Sequence, residues 1–279
     1  MFGRWARGTE PDFYAGRVVA LTGAGSGIGR GLAIELNRRG AHLALAGRHE
    51  ENLRETQKLC VAPGDTEVFR VDVCDRAAVG AYAAATVERF GRCDVLLANA
   101  GILHVGSVES TSPADFDTVM GINFGGMVNS VKAFLPHLLT TGRPARIATV
   151  SSALGLVGAA EHAPYCASKF AMRGFTESLR AELARTNVAV TAVYPGGVRT
   201  PIARTALLAP DVDRTQVVTR FEERIARTDA DKAAHTILTG VEQGRAQVLI
   251  GADARLAELA ARLAGPHFGK IVSLASKLG

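Results

Sequence analysis

The chain has 279 residues, 47% of them hydrophobic and 21% charged, with a formal charge of +5. That length and apolar content bury a sizeable core without disulfide or metal staples. Its basic residues are scattered among acidic ones and come with no nucleic-acid recognition motif, so a steering field for an anionic ligand is the economical reading and no nucleic-acid partner is expected. The cysteines Cys60, Cys74, Cys93 and Cys166 form no CxxC pair and no metal-ligand spacing, and read as free thiols of a reducing cytoplasm. No uncharged stretch reaches the roughly 18 residues of a spanning helix. The N-terminal MFGRWARGTEPDF lacks the apolar core of a secretory leader. The expectation is a soluble, cytoplasmic protein with no bound metal.

In chain order, short β-branched or leucine-rich runs recur at 17–22 (RVVALT), 42–47 (HLALAG), 67–72 (EVFRVD), 93–99 (CDVLLAN), 145–151 (ARIATVS), 188–195 (VAVTAVYP) and 247–251 (QVLIG). Several are apolar throughout rather than alternating, as strands covered on both faces are. Most are followed by a longer segment of helical period. Ser112, Pro113 and Asp115 give an N-cap, a first-turn proline and a capping-box acid for a helix running to about Leu139. Another long helix is expected over 163–185. The pattern predicts an α/β fold, a doubly wound and mostly parallel seven-stranded sheet with helices on both faces. No linker or repeat divides it, so one domain is expected over 15–251, with extensions at 1–14 and 252–279.

The first run leads straight into TGAGSGIGR, 22–30, and then into a helix beginning near Ile28. A strand, a glycine turn and a helix start gather backbone N–H groups and the positive helix end at one point, which is an anion site. The spacing is Gly23-x-x-x-Gly27-x-Gly29, so neither GxGxxG nor the GK[ST] of a phosphate-binding P-loop is present. Alone, such a loop is also what an ordinary glycine-rich turn looks like. The end of the second run supplies another test, because NAD-binding units place a carboxylate there for the ribose hydroxyl. Here it reads Ala46-Gly47-Arg48-His49. A guanidinium in place of a carboxylate suits a 2′-phosphate, which predicts NADP(H) over NAD(H).

Downstream, APYCASKFAMRG sets Tyr165 and Lys169 four apart, on one face of the expected helix. A free tyrosine is a poor base at neutral pH, and making it one takes roughly 4 kcal/mol of differential stabilisation. A neighbouring ammonium and an oxidised nicotinamide in a partly desolvated cleft are able to supply that. Ser151 and Ser152 close the fifth run, at the sheet edge where ligands of open α/β folds bind. No GxSxG occurs, which disfavours a serine nucleophile and leaves Ser152 as a hydrogen-bond donor to a substrate oxygen.

Together these motifs resemble the short-chain dehydrogenase/reductase family, the single-domain type with a Rossmann fold. The matching residues are TGAGSGIG at 22–29, Asp72, Asn99-Ala100-Gly101, Asn123, Ser152, Tyr165 with Lys169, and Pro195-Gly196 with Thr200. Ala98 stands where the family commonly has asparagine. The resemblance implies that Tyr165 is the general acid/base, that Ser152 holds the substrate oxygen, and that Lys169 binds the nicotinamide ribose and lowers the Tyr165 pKa. Asn123, set among Gly121, Gly125 and Gly126, would hold a water that relays protons to Lys169. On the cofactor side it implies Gly23, Ser26, Gly27, Ile28 and Gly29 at the pyrophosphate, with Asp72 and Val73 at the adenine. Asn99 and Gly101 would line the adenosine, and Pro195, Gly196, Val198 and Thr200 the nicotinamide.

The family places a substrate lid after Pro195-Gly196, here about 201–228, and its Ile202, Leu207, Leu208, Val217, Val218 and Phe221 predict an apolar pocket. Leu154, His104 and His162 are further candidate wall residues, Leu154 and His162 as substrate contacts. The expected activity is hydride transfer between NADP(H), or alternatively NAD(H), and a hydrophobic ketone, aldehyde or secondary alcohol. A catalytically silent cofactor-binding regulator of the same fold is the alternative. In the tail, Leu256, Leu259, Ala260 and Leu263 make one apolar stripe and Ile271, Leu274, Ala275 and Leu278 another. They are expected to pack on the substrate loop or a partner subunit, or to make weak contact with a membrane surface through Lys270 and Lys277. Homo-oligomers, dimer or tetramer, are expected.

Overall fold

In a computed structural model of the chain, residues 13–264 are described. The first three strands, β1 (Val18–Thr22), β2 (His42–Gly47) and β3 (Thr66–Arg70), are joined by α1 (Gly27–Arg38) and α2 (Glu50–Lys58). Helix α3 (Arg76–Phe90) then leads to β4 (Val95–Ala98) and a two-residue strand, β5 (His104–Val105). Next come α4 (Pro113–Met120), a π-turn at Gly121–Gly125 and α5 (Gly126–Leu139). Strand β6 (Ala145–Val150), α6 (Ala163–Glu182) and β7 (Val188–Pro195) follow. The expected lid holds β8 (Leu207–Leu208), α7 (Arg214–Arg220) and a second π-turn, Phe221–Ile225. The described chain ends with α8 (Ala230–Glu242), β9 (Gln247–Ile250) and α9 (Ala252–Ala264).

The seven long strands form one parallel sheet in the order β3-β2-β1-β4-β6-β7-β9. The chain winds outward from β1 to β3 and then returns to β4 on the other side of β1. The resulting crevice at the carboxyl edge is where open α/β sheets bind ligands. Alternate residues of each central strand feed two separate cores. Val19, Leu21, Val95 and Leu97 pack with Leu32, Leu36, Ile237 and Leu238 of α1 and α8. Ala20, Leu96 and Ala98 pack with Tyr82, Phe134 and Met172 of α3, α5 and α6. Two buried faces require apolar residues at both parities, which is why these runs do not alternate.

Two expectations change. The helix read as continuous from Ser112 to Leu139 is interrupted by the π-turn, although Ser112 does cap it, its Oγ accepting from Asp115 N at 3.1 Å. The tail stripe does not pack inward: Leu256, Leu259 and Leu263 are 67%, 54% and 79% exposed. The face of α9 that meets the body is the small one, Ala257 and Ala261 against the cluster of Leu156, Val157, Ala192 and Tyr194, because alanines let the helix approach closely. Ile271, Leu274, Ala275, Leu278 and the tail lysines lie outside the described residues.

Strands β5 and β8 pair in parallel and tie the lid to the body, with Leu207 N donating to Leu103 O at 2.9 Å and Ala209 N to Val105 O at 3.0 Å. Strand alternation sends Leu103 and Val105 toward the crevice and His104 the other way. His104 is fully buried, and neither ring nitrogen has a hydrogen-bond partner. Burial pushes its pKa down, opposed by Asp115 and reinforced by His162. The folded state therefore resists a proton that the unfolded chain accepts, so stability is full above about pH 6.5 and falls as the pH drops below it. Urea denaturation between pH 7 and pH 5 should show a loss of up to about 1.4 kcal/mol per pH unit from this group, and His104→Phe should flatten that slope.

Candidate active site

The glycine turn works by contact. A Cβ at position 29 would stand 2.0 Å from the carbonyl oxygen of Gly23, and one at Gly23 would stand 2.8 Å from Ala100 Cα. Only backbone fits between β1, α1 and the loop after β4. Asn99 closes the arrangement, its Nδ2 donating to the carbonyls of Thr22 at 3.1 Å and Gly23 at 3.2 Å. Ser26, at the N-cap of α1, makes no side-chain capping bond, and no acid occupies the first turn. The positive end of α1 is thus left to the crevice, and the residues fit the phosphates of a dinucleotide.

Across the crevice, α6 carries Tyr165 and Lys169 on one face, 6% and 3% exposed. Lys169 Nζ donates to Val150 O at 3.0 Å and lies 5.5 Å from the Tyr165 ring centroid. Desolvation pushes the Lys169 pKa down to about 7 and the Tyr165 pKa up to about 12. A hydrogen bond from Ser152 lowers the tyrosine and does not offset the burial. Ser152 Oγ also accepts from Leu154 N at 3.1 Å, so its one proton is the one directed at the tyrosine. Its neighbour Ser151 is committed elsewhere, donating to Lys169 O at 3.0 Å.

Asn123 sits fully buried inside the π-turn. Its Oδ1 accepts from Ile102 N at 2.8 Å, and its Nδ2 donates to Ile102 O at 3.0 Å and to Ser168 Oγ at 2.9 Å. The side chain is therefore a clamp between the loop after β4 and α6, with Ser168 a partner that no sequence motif marked. π-Turns break helical regularity and recur at functional sites.

A cleft of about 1210 Å³ joins these parts, lined by Gly23, Ser26, Gly27, Ile28, Gly29, Asn99 and Gly101 on one side. Ser152, Leu154, His162, Tyr165, Lys169, Pro195, Gly196, Val198 and Thr200 line the other. The lid adds Ile202, Val212, Val217, Phe221 and Ile225, and α9 adds Asp253 and Ala257, which the sequence reading did not single out. Arg48, Asp72, Val73 and Asn123 lie outside this lining. Arg48 and Asp72 are exposed, with Asp72 Oδ1 accepting from Cys74 N at 2.9 Å. Val73 is buried. No cluster able to hold a metal ion occurs among the described residues. No helix among them is long and apolar enough to cross a membrane.

Asn123→Ala would leave the Ile102 main chain and Ser168 without their partner. Equilibrium denaturation should show a loss of roughly 1–3 kcal/mol or more, the cost of stranding buried polar groups.

The family model for short chain dehydrogenases matches residues 17–210. A Mycobacterium tuberculosis protein named as an oxidoreductase, SadH, is 40% identical over 93% of this chain and 95% of its own length. An 11-beta-hydroxysteroid dehydrogenase-like protein of Arabidopsis thaliana is 36% identical over 85% of this chain and 77% of its own. Among solved structures, a short chain dehydrogenase/reductase from Burkholderia phymatum in complex with NAD superposes with a TM-score of 0.82 at 27% identity. That match covers 90% of this chain and 94% of the other.

Proposed function

The chain belongs to the short-chain dehydrogenase/reductase family, and on that footing we propose that it moves a hydride between NADP(H) and a hydrophobic ketone, aldehyde or secondary alcohol. The observation that carries this reading is the convergence of Ser152, Tyr165 and Lys169 with the glycine turn in one cleft. The cofactor, when bound, supplies or takes up the hydride. The residues of the chain do the rest. Ser152 turns its proton from the Tyr165 oxygen to the substrate oxygen and orients the carbonyl. Tyr165 then gives its proton to that oxygen as negative charge develops there, while Lys169 holds the ribose.

The pKa directions bear on the direction of reaction. A Tyr165 pushed up to about 12 is protonated at neutral pH, the form needed to reduce a carbonyl. Alcohol oxidation needs the deprotonated form. With Leu103, Val105, Leu154, Val157, Ile202, Val217 and Phe221 lining the cleft, an apolar substrate is favoured. Glu161, Asp211 and Asp213 in the same lining outnumber Arg220 and offer little to an anionic one. The steroid dehydrogenase-like relative points the same way.

For the cofactor, the NAD complex of the Burkholderia protein supports a nicotinamide dinucleotide in general. Arg48 supports the 2′-phosphate form. It follows the carboxyl end of β2, is exposed, and its charge opposes the upward shift of Cys74, two residues from Asp72. At Gly47 an added Cβ would meet the Leu53 side chain at 3.3 Å and no backbone atom within 4 Å, so an acid fits there with a small shift of that side chain.

Tyr165→Phe should bind NADPH as the wild type does while turnover falls roughly 10²–10⁴-fold. Unchanged turnover would refute the acid/base role, and a wild type that binds NADPH but turns over no carbonyl or alcohol in a panel of increasing chain length would favour a silent binder. Oxidation should rise with pH from 6 to 8, since it needs deprotonated Tyr165, followed by NADPH absorbance. The Gly47→Asp, Arg48→Ala double variant should shift preference from NADPH toward NADH in kcat/KM; retention of NADPH preference would overturn the phosphate assignment.

A further inference from the structure

The C-terminal helix reaches the cleft through one side chain. Asp253, in the first turn of α9, accepts from Gly197 N through Oδ2 at 2.6 Å and from Ala254 N through Oδ1 at 2.9 Å. The contact leaves no spare room: a Cβ at Gly196 would come within 2.0–2.2 Å of the carboxylate atoms. On its other side the same turn is held by the end of the lid. A Cβ at Gly197 would stand 1.9 Å from Ile225 O, and Gly197 O accepts from both Arg227 N and Thr228 N at 3.0 Å. The Gly197 peptide is therefore gripped at its N–H by α9 and at its carbonyl by the lid. Asp253 and Ala257 both line the cleft beside Gly196, Gly197 and Val198.

We propose that Asp253 is a positioning residue for the nicotinamide end of the cofactor, holding the Gly196–Gly197 turn in place and making the first turn of α9 a working part of the site. This rests on the reading of Pro195–Thr200 as the nicotinamide segment. The carboxylate acts through the turn and not on the reacting atoms. Its place in the first turn of a helix is electrostatically favourable, so the same side chain starts α9 and anchors the turn. The tight fit accounts for two consecutive glycines after Pro195, a pairing that a merely flexible loop does not require. Asparagine retains an acceptor oxygen at the same reach, whereas alanine removes it.

The test compares Asp253→Ala with Asp253→Asn in the full chain, using three readouts. NADPH titration should show about a tenfold weaker Kd for the alanine variant, the scale of one charge-assisted hydrogen bond, and near wild-type affinity for the asparagine variant. Adenosine 2′,5′-bisphosphate, which carries the adenosine half alone, should bind all three proteins equally. Amide hydrogen exchange across Tyr194–Thr200 should speed up in the alanine variant and return toward the wild-type rate in the asparagine variant, with or without cofactor. Equal weakening of NADPH and the bisphosphate would mean general loosening and would overturn the proposal, as would unchanged exchange or unchanged NADPH affinity in Asp253→Ala. If the wild type binds neither NADPH nor NADH, the functional reading fails and the ligand role of Asp253 fails with it, while the exchange result still reports whether Asp253 holds the turn.

Discussion

The carboxyl edge of the sheet depends on one close approach, that of residue 29 to the Gly23 carbonyl. Anything larger than hydrogen would overlap the oxygen, so α1 begins where it does only because no side chain stands there. Asn99 binds the same carbonyl from the side of β4. One backbone oxygen thus joins β1, α1 and the strand beyond the crevice, at the point where the sheet reverses its winding. Displacing α1 would draw Leu32 and Leu36 away from Ile237 and Leu238, so the geometry of the anion site and the packing of one core are the same constraint.

On the opposite wall the governing force is desolvation. Tyr165 and Lys169 are both held among apolar neighbours, and burial moves each toward its neutral form. Hydrogen bonds refine this without reversing it: Ser152 lowers the phenol, and Val150 receives the lysine. How tightly the phenol holds its proton is consequently set by how well water is excluded. The apolar cluster of Leu103, Val105, Tyr165 and Ala206, with Ile202, Leu208 and Val217 against it, performs that exclusion. Lid packing and the proton affinity of one hydroxyl are therefore linked through the dielectric around it.

Much of this was legible in the chain. The seven sheet strands could be located because two-sided burial imposes unbroken apolar runs, and their ends shifted by a residue or two where Asp72 and Asn99 leave the ladder, Asn99 to line the crevice. Ser152, Tyr165 and Lys169 share the cleft as their spacing suggested. The π-turn was foreshadowed by Gly121, Gly125 and Gly126 but not resolved, because a helical period survives a one-residue wedge. Strands β5 and β8 have two residues each and leave no period to detect. Ser168 and Asp253 escaped for another reason. Their partners are Asn123, 45 residues away, and the Gly197 amide, 56 residues away, and no local pattern encodes such contacts.

The lid is fastened to the body by β5 and β8 through main-chain hydrogen bonds, and main-chain bonds are indifferent to the side chains they carry. Leu207 and Ala209 donate to Leu103 and Val105 as any residues but proline would. Residues on the cleft side of the lid can accordingly be exchanged without undoing its attachment. Substitutions there can reshape the pocket while the lid stays fastened, and because the same apolar side chains keep water from Tyr165, each new pocket shape also resets how tightly that hydroxyl keeps its proton.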